Sequence, residues 1–160
     1  MIIKNLIDED FVNYKRPSMF LGAAYCNWKC AIEGNFDKSV CQNSPLASQP
    51  NINIPDEKIY KRYSENLLTN AIVIGGLEPM LQFNEVNALI KYFRSQRCND
   101  DFVIYTGYYI EELTLQIEVL KPLKNIIFKF GRFVPNQEHH YDEVLGVTLA
   151  SQNQYAERIC

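Results

Sequence analysis

No apolar run in this 160-residue chain approaches the ~20 consecutive residues that a membrane-spanning helix needs, so no membrane segment is expected. There is no basic excess either. Sixteen Lys and Arg stand against 19 Asp and Glu, for a net charge of −3. A nucleic-acid footprint is normally a basic surface, and that class of partner is not expected here. Low-complexity tracts and internal repeats are missing. Neither a signal peptide nor its apolar h-region is visible, which leads to the expectation of a reducing, cytoplasmic setting. The cysteine count, five, is odd, which argues against a disulfide framework. Histidine is scarce: His139 and His140 are the only two, in a polar stretch that reads as a solvated loop.

The remainder is ordinary for a globular protein, with 47% apolar and 22% charged residues. The length suits one domain over residues 1–160. Short apolar runs alternate with helical patterns. Ser18 to Tyr25 reads as the first strand. Ser44 to Pro55, with three prolines, cannot hold regular structure for long. Asp56 reads as an N-cap, with Ile59, Tyr60, Tyr63 and Leu67 at helical spacing behind it. Ala71 to Gly76 is a β-branched run ending in glycines, the pattern of a buried parallel strand. Asn84 to Phe93 and Ile110 to Leu120 read as helices, and Asp101 to Thr106 and Asn125 to Phe130 as strands. A last short strand is expected near Val144 to Leu149. This alternation predicts βαβ units, about four of them. A closed eight-unit barrel needs ~250 residues and is excluded by length, which leaves a partial, open β/α barrel.

Chemistry concentrates in Tyr25-Cys26-Asn27-Trp28-Lys29-Cys30 and Val40-Cys41-Gln42-Asn43, directly after the first expected strand. Three thiolates on one loop can hold three irons of a cubane cluster and leave the fourth open. A zinc site needs a fourth ligand, and unligated buried thiols are the remaining reading. Cys98 and Cys160 stand apart, with no second ligand at metal-binding spacing. The Gly75-Gly76-Leu77-Glu78-Pro79 stretch ends the second expected strand, where paired glycines let backbone approach a ligand closely. In folds of this kind ligands sit at the carboxyl ends of strands. The cysteine loop, Gly75-Gly76, Thr106-Gly107 and Gly131 are all expected there.

In order, four segments resemble the radical S-adenosylmethionine superfamily, and within it the activating component of anaerobic ribonucleotide reductase. They are Gly75-Gly76-Leu77-Glu78-Pro79, Ile104-Tyr105-Thr106-Gly107-Tyr108, Phe128-Lys129-Phe130-Gly131-Arg132-Phe133 and the Asn153-Gln154 signature near the end of the chain. The resemblance implies a minimal partial barrel whose cluster loop, residues 26–43, carries a [4Fe–4S] cluster on Cys26, Cys30 and Cys41. It implies S-adenosylmethionine contacts from Asn43, Gly75, Gly76, Glu78, Thr106 and Asn153. The implied partners are a larger glycyl-radical reductase and an electron donor such as flavodoxin or ferredoxin. The pattern departs from the family in four places. The spacing is C-x3-C-x10-C rather than C-x3-C-x2-C; Leu77 separates Gly-Gly from Glu78; and Lys129-Phe130 stand where the family places an acidic residue before its glycine. Val40 takes the place of the usual aromatic before the third cysteine, for which Trp28 or Phe36 can substitute. The alternatives are a radical enzyme of the same fold with another substrate, and a metal-loop interaction module without catalysis.

Overall fold

The computed structural model describes residues 1–160. Nine strands and five helices follow in the order β1 (Ile2–Asp10), β2 (Ser18–Ala23), α1 (Lys29–Gly34), α2 (Ser44–Ala47), β3 (Ile52–Asn53), α3 (Asp56–Glu65), β4 (Ala71–Gly76), α4 (Phe83–Ser95), β5 (Asp101–Tyr105), α5 (Thr114–Leu120), β6 (Ile126–Phe130), β7 (His140–Asp142), β8 (Val147–Leu149) and β9 (Tyr155–Arg158). One seven-stranded sheet has the order β3-β1-β2-β4-β5-β6-β9, and β7 pairs with β8 apart from it. The four central strands β2, β4, β5 and β6 are mutually parallel. The outer pairings, β1 with β2, β1 with β3 and β6 with β9, are antiparallel.

Strand period explains the layering, since successive side chains leave opposite faces of a strand. Ile72 and Ile74 of β4, Phe102 and Ile104 of β5, and Ile126 and Phe128 of β6 pack on one face. Ile59 and Tyr63 of α3, Leu89 and Phe93 of α4, and Ile117 and Leu120 of α5 close over them. Ala71, Val73, Val103 and Ile127 leave the other face and meet Tyr14, Leu145 and Leu149 instead of a helix. Both faces are therefore dry along the parallel strands, which is why each reads as a continuous apolar run.

Several sequence expectations need correction. A long strand, β1, precedes the one taken as first, and its residues run in apolar and polar pairs, Ile2-Ile3, Lys4-Asn5 and Leu6-Ile7, before three acids, without the alternation that marks a strand. Its partners are β2 and β3, so sheet pairing and not local pattern makes it a strand. The strand expected at Val144 to Leu149 is only Val147–Leu149, in the separate hairpin, while β9 closes the main sheet. Pro55 takes the N-cap position of α3 and Asp56 is its first residue. Helix α3 ends at Glu65, so Leu67 falls past its apolar face and is 96% exposed. The expected helix at Ile110 to Leu120 is a 3-10 turn, Ile110–Glu112, followed by α5.

Because β2, β4, β5 and β6 run the same way, their carboxyl ends share one edge of the sheet. At the opposite edge, Asp101 accepts from Tyr14 Oη at 2.8 Å and Arg158 Nη1 at 2.8 Å, and pairs with Arg16 at 3.2 Å. This buried carboxylate ties the loop after β1 to β5 and β9 and fixes the sheet from below.

Candidate functional site

The chain leaves β2 at Ala23 and reaches Cys26 three residues later. Cys26 Sγ accepts from the Trp28 amide at 3.3 Å. Trp28 sits in the left-handed region at φ 57° and turns the chain into α1, which carries Cys30. The chain returns through a 3-10 turn, Lys38–Val40, capped by Asp37 at 2.8 Å from the Ser39 amide, and delivers Cys41. All three thiols line one cavity of about 410 Å³. No group of three or more His, Cys, Asp or Glu side chains is arranged to hold a metal ion in this geometry. A single zinc draws its sulfurs to 2.3 Å from one centre, whereas a cubane spreads its thiolates over separate irons.

Two of these thiols, Cys26 and Cys30, resist ionisation as they stand. Burial pushes Cys26 up to about 11, against the Trp28 amide, and Glu78, Cys30 and Cys41 push the same way. Burial also raises Cys30, opposed by the Phe133 amide and by the positive charges of Arg132 and Lys129. A metal centre bound here has to displace these protons and supply the positive charge that stabilises thiolates.

Four of the expected cofactor-contact residues share this cavity with the cysteines: Asn43, Gly76, Glu78 and Thr106. The other two, Gly75 and Asn153, do not line it. Gly75 is buried within the sheet; an added Cβ would lie 3.2 Å from Tyr105 Cβ and 3.3 Å from Phe20 Cε2. Asn153 packs behind the end of β6, where Nδ2 donates to Tyr109 Oη at 3.0 Å and to Arg132 O at 2.9 Å. Its Oδ1 is buried without a partner, and its neighbour Gln154 faces the cavity instead. Of the two aromatic substitutes, Trp28 lines the cavity, whereas Phe36 stacks edge-on against Phe133 at 5.9 Å. His140 joins β7 and His139 stays exposed; neither lines the cavity.

Despite the intervening Leu77, Glu78 is buried and points into the site. Oε1 accepts from the Met80 amide at 3.0 Å and from Thr106 Oγ1 at 2.7 Å, and Oε2 accepts from the Gly107 amide at 2.8 Å. The Glu78 amide in turn donates to Tyr25 O at 2.7 Å. Glu78 is thus a latch joining the ends of β2, β4 and β5. Burial raises its pKa, against the donated hydrogen bonds and the charge of Lys129. The Thr106 hydroxyl has one proton, already given to Glu78, and accepts from the Tyr108 amide at 3.0 Å. Gly76 sits at φ 79°, where any other residue is strained, and its Cβ position lies 2.6 Å from Leu46 Cδ2.

Two basic residues were not predicted as site residues. Arg132, 5% exposed, donates through Nε to Glu33 at 2.9 Å and through Nη2 to Glu112 at 2.7 Å, and its Nη1 reaches Gly107 O. Its guanidinium also lies 5.3 Å from the Tyr108 ring and 5.0 Å from the Tyr109 ring. Arg132 therefore clamps α1, with Cys30, to the ends of β5 and β6. Lys129, buried in β6, lines the cavity beside the thiols. The signal for Lys129 was legible: one charge inside an otherwise apolar strand, Ile126-Ile127-Phe128-Lys129-Phe130. Arg132 carried no signal, because its partners Glu33 and Glu112 are remote in sequence.

A family model described as a 4Fe-4S single cluster domain matches residues 15–155. No curated protein and no solved structure matches the chain. The match spans most of the chain, which belongs to this family of iron–sulfur proteins. The donor chemistry fits the family's cofactor, with three thiols, a cation and glycine backbone on one cavity. No helix is long and apolar enough to cross a membrane.

Proposed function

We propose that Cys26, Cys30 and Cys41 hold the [4Fe–4S] cluster of this family member, and that the chain is a radical S-adenosylmethionine enzyme acting on a larger glycyl-radical reductase. The observation that carries the reading is one cavity, at the carboxyl ends of parallel strands, lined by all three thiols, by the positive-φ Gly76 and by Thr106-Gly107. The order of the Gly-Gly, Tyr-Thr-Gly-Tyr and Asn-Gln segments along the chain supports the same reading. Held by these residues, the cluster and S-adenosylmethionine would supply reductive cleavage of the sulfonium and, from it, the oxidising power to remove hydrogen from a glycine Cα of the partner.

The chain's own residues do the rest. Gly76 exposes backbone where a side chain would block approach. Asn43, whose side chain caps nothing, presents an unused amide to the cavity. Glu78 and Thr106 hold the rim in shape through each other. Gly75 and Asn153 contribute through the backbone and the wall behind β6. The partial barrel belongs to the same proposal, supported by the parallel β2, β4, β5 and β6 with helices on one face. So do a cytoplasmic setting and a flavodoxin or ferredoxin donor.

The test is anaerobic. The reduced, loaded chain with S-adenosylmethionine should release 5′-deoxyadenosine and methionine, and added reductase should acquire a glycyl radical by electron paramagnetic resonance. Cleavage without a radical on any reductase favours a second reading, a radical enzyme of the same fold with another substrate. The altered cysteine spacing and Leu77 point toward that reading. An iron-loaded chain with no cleavage favours the non-catalytic module.

A further inference from the structure

All five residues of β6 are buried, and Lys129 is the one charged residue among them. Its side chain is 7% exposed, yet it lines the cavity that holds Cys26, Cys30 and Cys41. An ammonium carries three donors. The acceptor Lys129 reaches in the protein is Gly131 O, at a long 3.3 Å. Glu78, a buried carboxylate of the same cavity, already takes three donors from Met80, Thr106 and Gly107. Burying a cation with so little compensation is expensive, and a well-packed Met or Leu would fill this strand position without that cost.

The compensation comes from the thiolates that a bound cluster requires. Burial pulls the Lys129 amine down to about 8, while Cys30, Glu78 and Cys41 act to hold its proton on. Three thiolates bring more negative charge than an oxidised [4Fe–4S] core brings positive, and one-electron reduction adds another. In a dry cavity such charge is costly, and the potential of an iron–sulfur centre follows net charge, hydrogen bonding and exposure.

We propose that Lys129 supplies the fixed positive charge of the cluster site and thereby raises the cluster's reduction potential. This rests on the reading that Cys26, Cys30 and Cys41 hold the cluster. It does not rest on S-adenosylmethionine or on any partner. Lys129 is a positioning residue in the electrostatic sense: it sets the field in which the electron is accepted and touches no reacting bond. The step is the uptake of one electron by the oxidised centre from a low-potential chemical reductant such as dithionite, with no bond made or broken.

The experiment reconstitutes the full chain with iron and sulfide and titrates it potentiometrically, following the reduced centre by electron paramagnetic resonance. Lys129→Met should load iron as the wild type does and reduce at a distinctly more negative midpoint. Lys129→Arg, which keeps the charge, should stay near the wild-type midpoint. Iron held by Lys129→Arg but lost by both Lys129→Met and Lys129→Gln would also support the charge requirement. Iron lost equally by all three variants would mark a packing role and overturn the proposal. A loaded Lys129→Met chain titrating at the wild-type midpoint would overturn this inference alone, whereas a wild-type chain that takes up no iron and sulfide would overturn the three-cysteine reading with it.

Discussion

Replacing Glu78 tests whether the rim of the site is held by one carboxylate. Glu78→Ala removes the acceptor of three buried donors, the Met80 amide, the Gly107 amide and the Thr106 hydroxyl. Each stranded donor is worth about 1–3 kcal/mol. The hydroxyl can rotate and water can enter from the cavity, and losing a buried carboxylate is itself partly favourable. The expected loss is therefore about 3 kcal/mol, at the low end of that range. Glu78→Gln keeps one oxygen in the place of Oε1, for Met80 and Thr106, but turns its amide protons toward the Gly107 N–H. One bond is lost and two donors face each other, for about 1–2 kcal/mol. With a urea slope of about 2 kcal/mol/M, the midpoint should fall by about 1.5 M for Ala and about half that for Gln. Trp28, the chain's single tryptophan, lines the cavity and reports the transition by fluorescence, with circular dichroism as the global probe. All forms are compared at the same cluster loading, because a bound group shifts apparent stability. A double-mutant cycle with Thr106→Val should give a coupling of about 1 kcal/mol or more. Additive effects, or a Glu78→Ala midpoint equal to the wild type, would show that the latch is not made.

Cys41→Ala should sharply reduce iron and sulfide per chain after anaerobic reconstitution, while Cys98→Ala, whose thiol faces Asp100 at 3.5 Å outside the cavity, should load fully; equal loading of both would refute the ligand assignment. Gly76→Val should lower the melting temperature whether or not any ligand is present, because it combines φ 79° with the Leu46 contact, and strain of this kind is worth about 1–3 kcal/mol. Adding Leu46→Ala should recover part of that loss, and no recovery would mean the clash is not what limits the site. The Glu112 carboxyl is held down at about 2, first by the Arg132 hydrogen bond and then by Lys29 and the Tyr109 amide, against burial. Its folded pKa lies below the unfolded one, so its contribution is present above pH about 4.5 and fades as the pH falls toward about 2. Glu112→Gln should accordingly weaken the chain at pH 7 and converge with the wild type near pH 2 in unfolding midpoints; parallel profiles would dismiss the ion pair.

The parallel core was legible because its cause is local. A strand buried on both faces is apolar along most of its length, and Ala71 to Ile74 and Phe102 to Ile104 show that directly. The three cysteines were legible for a similar reason: thiols after such a strand fall at the ligand-bearing edge whatever the rest of the chain does. Strands β1 and β9 were not, because each is half exposed and borrows its order from a neighbour, β2 or β6, that no local window contains. The clamp of Arg132 on Glu33 and Glu112 and the latch of Glu78 on Thr106 and Gly107 are contacts between segments far apart in sequence. Residue type and spacing by themselves determined the strand edge, the thiols and the glycines that define where chemistry can occur. Tertiary structure alone decided that Glu78 faces inward past Leu77, that Gly75 and Asn153 stay behind the wall, and that Lys129 is buried on the cavity the thiols line, because hydrogen-bond partners and burial are properties of the packed sheet edge and not of any single segment.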